Sequence, residues 1–288
     1  MTGLKFIHIT DTHFVAPGRR LYGLDPAERL APAIEYVNAE HPDAAFVAIT
    51  GDLAHRGEAE AYRALAGVLA RLTVPWHAVP GNHDDRAALR AAFPEIPALT
   101  GGFLQSAIDI GANRFLFLDS VDEGRPGGVL CPERLAWLEE KLATAGDRSV
   151  FLFLHHGPVA LGILNLDGIG LANAAEFREI LVRHGNVRHM FFGHVHRAAH
   201  GSWAGVPFST LRSMVNQSAL AFRPLPGILD CLEPPGLAVV RLDANGDVVI
   251  NDHDFLDSSP RFFISGPDAA DEEAPPSGWP VDPAALPT

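Results

Sequence analysis

Seven side chains able to hold a metal ion stand at the ends of five short apolar runs. Gly193-His194-Val195-His196 follows the run 189–192, and Asp11-Thr12-His13 follows 5–10. Gly51-Asp52 follows 45–50, Gly81-Asn82-His83-Asp84 follows Trp76-His77-Ala78-Val79-Pro80, and His155-His156 follows 150–154. Two histidines one residue apart are a weak signal alone, because in a strand they are only two residues on one face. Capping and turn formation also place Asp and Asn at strand ends. Five such ends together point elsewhere, since ligands of an open α/β sheet bind beyond the carboxyl ends of its strands.

The donor set is Asp11, His13, Asp52, Asn82, His155, His194 and His196. It mixes carboxylate, amide and imidazole and contains no thiolate, which argues against a structural zinc finger and suits Mn, Fe, Zn or Co. Seven donors are too many for one ion. Two ions sharing a bridging carboxylate fit the number, and such a pair, roughly 3.5–4 Å apart, clamps both oxygens of an in-line displacement and supplies hydroxide at neutral pH.

These residues need strands to carry them and helices to cover the strands. Strands are expected at 5–10, 45–50, 74–79, 150–154 and 189–192. Between them the apolar spacing predicts helices at 26–39, 59–72, 85–93, 132–142 and 174–184, with Asp25 and Pro26 opening the first. The alternation argues for an α/β fold. An antiparallel pair, 103–110 and 114–118 turning at 111–113, departs from a simple doubly wound sheet and implies a second sheet. Residues 202–208 read as a strand, and 237–242 with 248–252 as a hairpin around Asn245-Gly246.

The five blocks resemble the signature of the calcineurin-like metallophosphoesterases over about residues 5–200. The resemblance implies a four-layer αββα sandwich of two mixed sheets flanked by helices. It assigns Asp11, His13 and His196 to one metal and Asn82, His155 and His194 to a second, with Asp52 bridging. It gives His83 a catalytic role, facing substrate and stabilising or protonating the leaving oxygen. Support of the bridging carboxylate is the alternative reading of His83. Asp-Thr-His-Phe, Leu-Tyr-Gly-Leu-Asp-Pro, Gly-Asn-His-Asp, Leu-Asp-Ser and His-His-Gly-Pro look closest to class III cyclic nucleotide phosphodiesterases and bacterial glycerophosphodiesterases. Gly157 stands where these relatives often have proline, and Ala54-His55-Arg56 only partly matches the phosphatase Asp-Arg-Gly.

The resemblance therefore implies a phosphodiesterase that hydrolyses small diesters, cyclic nucleotides or glycerophosphodiesters, through a metal-held hydroxide. A phosphomonoesterase and a non-catalytic metal-binding scaffold are the rivals. The catalytic domain spans 1–209 and 234–264; 210–233 resembles a lid and dimerisation insertion, which implies a homodimer or higher homo-oligomer. Substrate contacts are assigned to His83, His156 and Asn216, with Gln217 also a candidate from the lid. His8 and His77 lie inside strands and read as core residues. His55, His200, Arg19 and Arg20 flank the ligand blocks and are either pocket residues or surface. His41, His184, His189 and His253 read as surface or capping residues.

Composition sets the remaining bounds. With 288 residues, 47% hydrophobic and 20% charged, the chain has the profile of a globular protein. A net charge of −13 argues against a nucleic-acid polymer as partner, although bound cations admit a small phosphodiester. Cys131 and Cys231 are free thiols, one disulfide or an inter-subunit link. No run is long enough to span a bilayer, and no charged segment with a long apolar stretch precedes the first strand, so a cytoplasmic location is expected. From Ser265 onward Pro, Asp, Glu, Ala and Ser dominate, and a poorly ordered tail is expected.

Overall fold

The computed structural model describes residues 3–99, 101–259, 261 and 263–265. The tail expected from Ser265 onward lies outside these residues, Ser265 itself apart. The chain divides into units Met1–Phe255 and Leu256–Thr288, and every helix and strand described belongs to the first.

In chain order the elements run β1 (Leu4–Ile9), α1 (Pro26–Glu40), β2 (Val47–Thr50), α2 (Ala59–Leu69), β3 (Trp76–Val79), α3 (Arg86–Ala92), β4 (Ser106–Ile110) and β5 (Asn113–Phe117). There follow α4 (Pro132–Ala143), β6 (Ser149–Leu154), α5 (Leu164–Asp167), α6 (Ala174–His184), β7 (Val187–Phe192), β8 (Ala199–Trp203), β9 (Val206–Thr210), β10 (Gln217–Ser218), β11 (Asp230–Cys231), β12 (Leu237–Leu242) and β13 (Val248–His253).

Two large sheets result, as the antiparallel pair implied. One has the order β13-β12-β1-β2-β3, the other β4-β5-β6-β7-β9-β8. Strands β1, β2 and β3 are mutually parallel, with β3 at one edge, as are β5, β6, β7 and β9; antiparallel pairing brings in β12 and β13 at the other edge of the first sheet and β4 and β8 at the edges of the second. Register keeps their ends in step: Ile9 pairs with Ile49, and Leu154 with Phe192. Parallel strands buried on both faces read as continuous apolar runs, but the period of two still sorts them. Phe6, Phe46, Phe153 and Phe191 face the other sheet and pack with Phe115, Phe117 and Phe151 in one aromatic layer. Ile7, Ile9, Val47 and Ile49 turn the other way, onto Leu30, Ile34, Tyr62, Leu65 and Leu89 of α1–α3. Leu152, Leu154, Met190 and Phe192 turn onto Leu138, Leu142, Phe177 and Leu181 of α4 and α6. Three apolar layers between four structural layers make the αββα sandwich.

Several expectations need correction. The strand read at 202–208 is a hairpin, β8–β9, turning at Ala204-Gly205, both with positive φ. Helix α2 ends at Leu69, β3 begins at Trp76 and β4 at Ser106. The short elements α5, β10 and β11 were not anticipated. His189 is buried rather than exposed, because β7 begins at Val187 and places it on the face between the sheets. His8 is buried, with Nε2 2.8 Å from Thr50 Oγ1. Cys131 and Cys231 are free thiols. No helix among the described residues is long and apolar enough to cross a membrane.

His189 gives the fold a pH signature. Its Nε2 meets Ser209 Oγ at 3.0 Å, and burial, reinforced by the charge of His200, lowers the ring from 6.5 to about 4. The native state therefore refuses a proton that the unfolded chain accepts across this interval. The associated stability is complete above pH 6.5 and is lost as pH falls towards 4. Urea denaturation of the chelator-treated protein should show His189→Met losing about 2 kcal/mol less than the parent between roughly pH 7 and 4.5.

Candidate metal centre

The seven expected donors converge at the carboxyl rim of the two sheets. Asp11 and His13 follow β1, Asp52 follows β2, Asn82 follows β3, His155 follows β6, and His194 and His196 follow β7. Asp11, His13, Asp52, His194 and His196 have φ between 43° and 71°. This left-handed region costs a non-glycine residue about 1–3 kcal/mol, and such strain gathers where surrounding structure forces a side chain into a functional direction. Gly193 admits no larger residue, because an added Cβ would lie 2.2 Å from Thr10 Oγ1 and 2.8 Å from the Asp11 carboxylate.

One nitrogen of each well-placed imidazole is tied to backbone, leaving the other facing inward. His155 Nδ1 donates to Thr50 O at 2.8 Å, and His196 Nδ1 donates to Asn216 O at 2.9 Å. Each Nε2 then faces carboxylates, as required of a ligand oriented from outside. His196 Nε2 lies 3.2 Å from Asp11 Oδ1 and 3.0 Å from His13 Nε2. Asp52 Oδ2 stands between the two halves of the site, 3.5 Å from His13 Nε2 and 3.4 Å from His155 Nε2. Asn82 Oδ1 is 3.2 Å from His155 Nε2, and the buried His194 Nε2 has no hydrogen-bond partner among the described residues. Donor atoms of Asp11, His13, Asp52 and His196 lie within 4.8 Å of one another, as do those of His155, His156 and His194. Convergent nitrogens, shared carboxylates and an orphaned imidazole nitrogen fit two divalent cations.

The electrostatics agree. Burial alone would raise the Asp52 carboxyl, but the His155 and His13 rings outweigh it and hold it well below the usual range. Burial would lower His155, yet Asp52 and then Asp11 raise it to about 9. Burial likewise opposes ionisation of Asp11, and His196 brings it down to about 2. Burial drives His13 well down, against the pull of Asp52, and lowers His194 to about 3. The carboxylates are thus ready anions, and His13 and His194 are neutral donors.

A cavity of about 310 Å³ opens onto these groups. Its wall includes His13, Asp52, Asn82, His83, His194, His196 and Asn216. His83 Nδ1 donates to His55 O at 2.7 Å, its backbone N–H donates to Asp52 Oδ1 at 2.9 Å, and its Nε2 lies 4.0 Å from Asp52 Oδ2. The backbone of His83 thus supports Asp52, and its 38% exposed ring faces the cavity. His156 differs from expectation. It is buried beside His155 and His194, with Nδ1 2.8 Å from Ser120 Oγ, and it is not part of the cavity wall. Gln217 closes a loop on Ser213 instead of entering the cavity. Arg19 and Arg20 are exposed and His200 pairs with Asp252; none lines the wall. At Gly157 the ring of Phe192 occupies the space of a Cβ, 2.5 Å away, which accounts for the absence of a larger residue.

Sequence reasoning missed other wall residues: Tyr22, Leu166, Ile169, Ile228 and Asp230, with His55 left undecided. It also missed the work of Asp84. That carboxylate accepts from Leu53 N–H, Ala54 N–H, Gly81 N–H and Tyr62 O–H at 2.8–3.0 Å, clamping the Asp52 loop to the Asn82 loop. Its place in Gly-Asn-His-Asp was the available signal, but four donors are visible only in three dimensions.

Comparison with known proteins agrees with this geometry. The calcineurin-like phosphoesterase family model matches residues 4–198. The chain is 44% identical over 264 residues to a protein of Rhodopseudomonas palustris named "probable cyclic nucleotide phosphodiesterase", covering 91% of this chain and 96% of the relative. It is 34% identical over 217 residues to a glycerophosphodiester phosphodiesterase of Enterobacter lignolyticus, covering 73% and 77%. A dimetal phosphatase from Danio rerio has a similar fold, with TM-score 0.65 and 20% identity over 88% of this chain and 96% of that one.

Asp84→Asn offers an amide NH₂ where donors already point. Metal affinity, read by chelator competition with metal analysis of the desalted protein, should fall about 10–100-fold while the far-ultraviolet circular dichroism persists.

Proposed function

The chain belongs to the calcineurin-like phosphoesterase family and is a metal-dependent phosphodiester hydrolase; from that premise we propose that it cleaves small diesters, 3′,5′-cyclic nucleotides or glycerophosphodiesters. The observation that carries this reading is Asp52 Oδ2, shared at 3.5 and 3.4 Å between the two donor sets beneath a cavity of about 310 Å³. In the proposed assignment Asp11, His13 and His196 would hold one ion and Asn82, His155 and His194 the other, with Asp52 placed to serve both. Such oxygen and nitrogen donors suit Mn, Fe, Zn or Co. Bound there, divalent cations neutralise phosphate charge and provide a nucleophile at neutral pH.

The chain's own residues do the rest. His83, its Nδ1 fixed by His55 O, offers Nε2 to the cavity and carries the proton to the departing alkoxide. A scaffold that only held metal would gain nothing from this open ring. Tyr22, Leu166, Ile169 and Ile228 form an apolar rim that accommodates the alcohol group and limits water. Among the described residues no Lys or Arg lines the wall, which favours a monoanionic diester over a dianionic monoester.

We assign residues 210–233 the role of lid and subunit contact. The segment contributes Asn216, Ser218, Ile228 and Asp230 to the wall. Its base is tied to the site through Ser213 Oγ–H donating to Asp11 O and Ser218 N–H donating to His196 O. It exposes Leu220, Phe222 and Leu229 between β10 and β11 and Leu232 just after β11, each at least half exposed, which supports burial against a second copy.

With manganese, zinc, iron or cobalt loaded, turnover of cyclic AMP and glycerophosphoethanolamine should exceed that of p-nitrophenyl phosphate; inertness towards every diester would end the proposal. His83→Ala should lower kcat about 10²–10⁴-fold on an alkyl diester and much less on a p-nitrophenyl diester, whose leaving group needs no proton. Replacing 220–228 by a short glycine linker should broaden the range to bulkier diesters and yield a monomer by light scattering, since the ties at 213–218 survive. An unchanged range and mass would remove the lid assignment.

A further inference from the structure

Asp230 is out of place in a cavity read as a phosphate-ester site. Its side chain lies on the wall, in β11, where it pairs in register with Ser218 of β10. Asn216 Nδ2 donates to one carboxylate oxygen at 2.7 Å, and Ser218 Oγ donates to the other at 3.4 Å. The carboxylate is thus held in place on the same segment whose Asn216 carbonyl anchors His196. Among the described residues it has no ion pair, and the wall supplies neither Lys nor Arg. His196, raised against burial by Asp11 and Asp52 and in part by the Asp230 charge, shares that wall; even so, a fixed negative charge weakens binding of any anion relative to the same site without it, and more strongly the more negative the anion.

Building on the diester reading, we propose that Asp230 is a specificity-determining residue that selects esters by charge. It turns away dianionic monoesters, tolerates monoanionic diesters, and favours diesters whose alcohol bears a cationic group. At neutral pH a phosphate monoester carries nearly one charge more than a diester. Across several ångströms of partly wet cavity, one extra unit charge is worth roughly a threefold to tenfold change in binding. Asp230 acts before the chemical step, so the selection falls chiefly on kcat/KM at low substrate and is screened by salt. The alcohol-bearing side of the substrate meets Asp230, and the phosphate meets the histidines opposite.

Three substrates with one leaving group test this: p-nitrophenyl phosphate, methyl p-nitrophenyl phosphate and p-nitrophenylphosphorylcholine, of net charge about −2, −1 and 0 at neutral pH. Asp230→Asn keeps an oxygen for Asn216 but removes the charge. At low ionic strength kcat/KM should rise roughly threefold to tenfold for the monoester, rise less for the methyl diester and fall for the choline diester. The changes should shrink in about 0.5 M salt, and Asp230→Glu should retain the parent's order. Equal changes on all three substrates, or none, would overturn the inference. A parent enzyme inert towards both diesters would instead overturn the diester reading.

Discussion

Two buried carboxylates, Asp11 and Asp52, face a ring of imidazoles at the rim of two sheets, and the rest of the molecule holds them there. Burying one such anion without a partner is prohibitively costly. Here His196 and His155 keep both ionised, and five of the seven candidate ligands occupy left-handed backbone. That strain persists only because the framework is stiff. The stiffness has identifiable sources: parallel ladders ending in step, Asp84 clamping two loops, and backbone carbonyls of Thr50 and Asn216 aiming His155 and His196.

The aromatic layer between the sheets is the second support. Phe6, Phe46, Phe117, Phe153 and Phe191 stack or meet edge to face with centroids 4.7–6.2 Å apart. It fixes the spacing of the sheets, and hence the distance from β1 and β2 to β6 and β7. Above this layer the buried polar chain His8–Thr50–Thr10–Asp11 continues the same inward face up to the site. Apolar residues set the separation, and hydroxyls hand it on to the carboxylate.

The candidate ligands and the rest of the cavity wall come from different parts of the chain. Strand ends provide the candidate ligands, while 210–233 and the neighbourhood of α5 provide much of the remaining wall.

Much of what the strand ends carry is legible in the sequence. A ligand at a strand's carboxyl end leaves a local mark: an apolar run, a glycine, then Asp, Asn or His. The period of two and the five intervening helices determined the α/β framework and where the site would form. Tertiary structure alone decided what depends on distance between remote segments. His155 and His156 are adjacent and identical in kind, yet Thr50 O aims one at Asp52 while Ser120 holds the other behind it. His189 is interior because of two residues added at the start of β7, and Asp230 reaches the wall because β10 pairs with β11. Such placements arise from contacts between residues tens to hundreds of positions apart, for which the chain carries no local pattern.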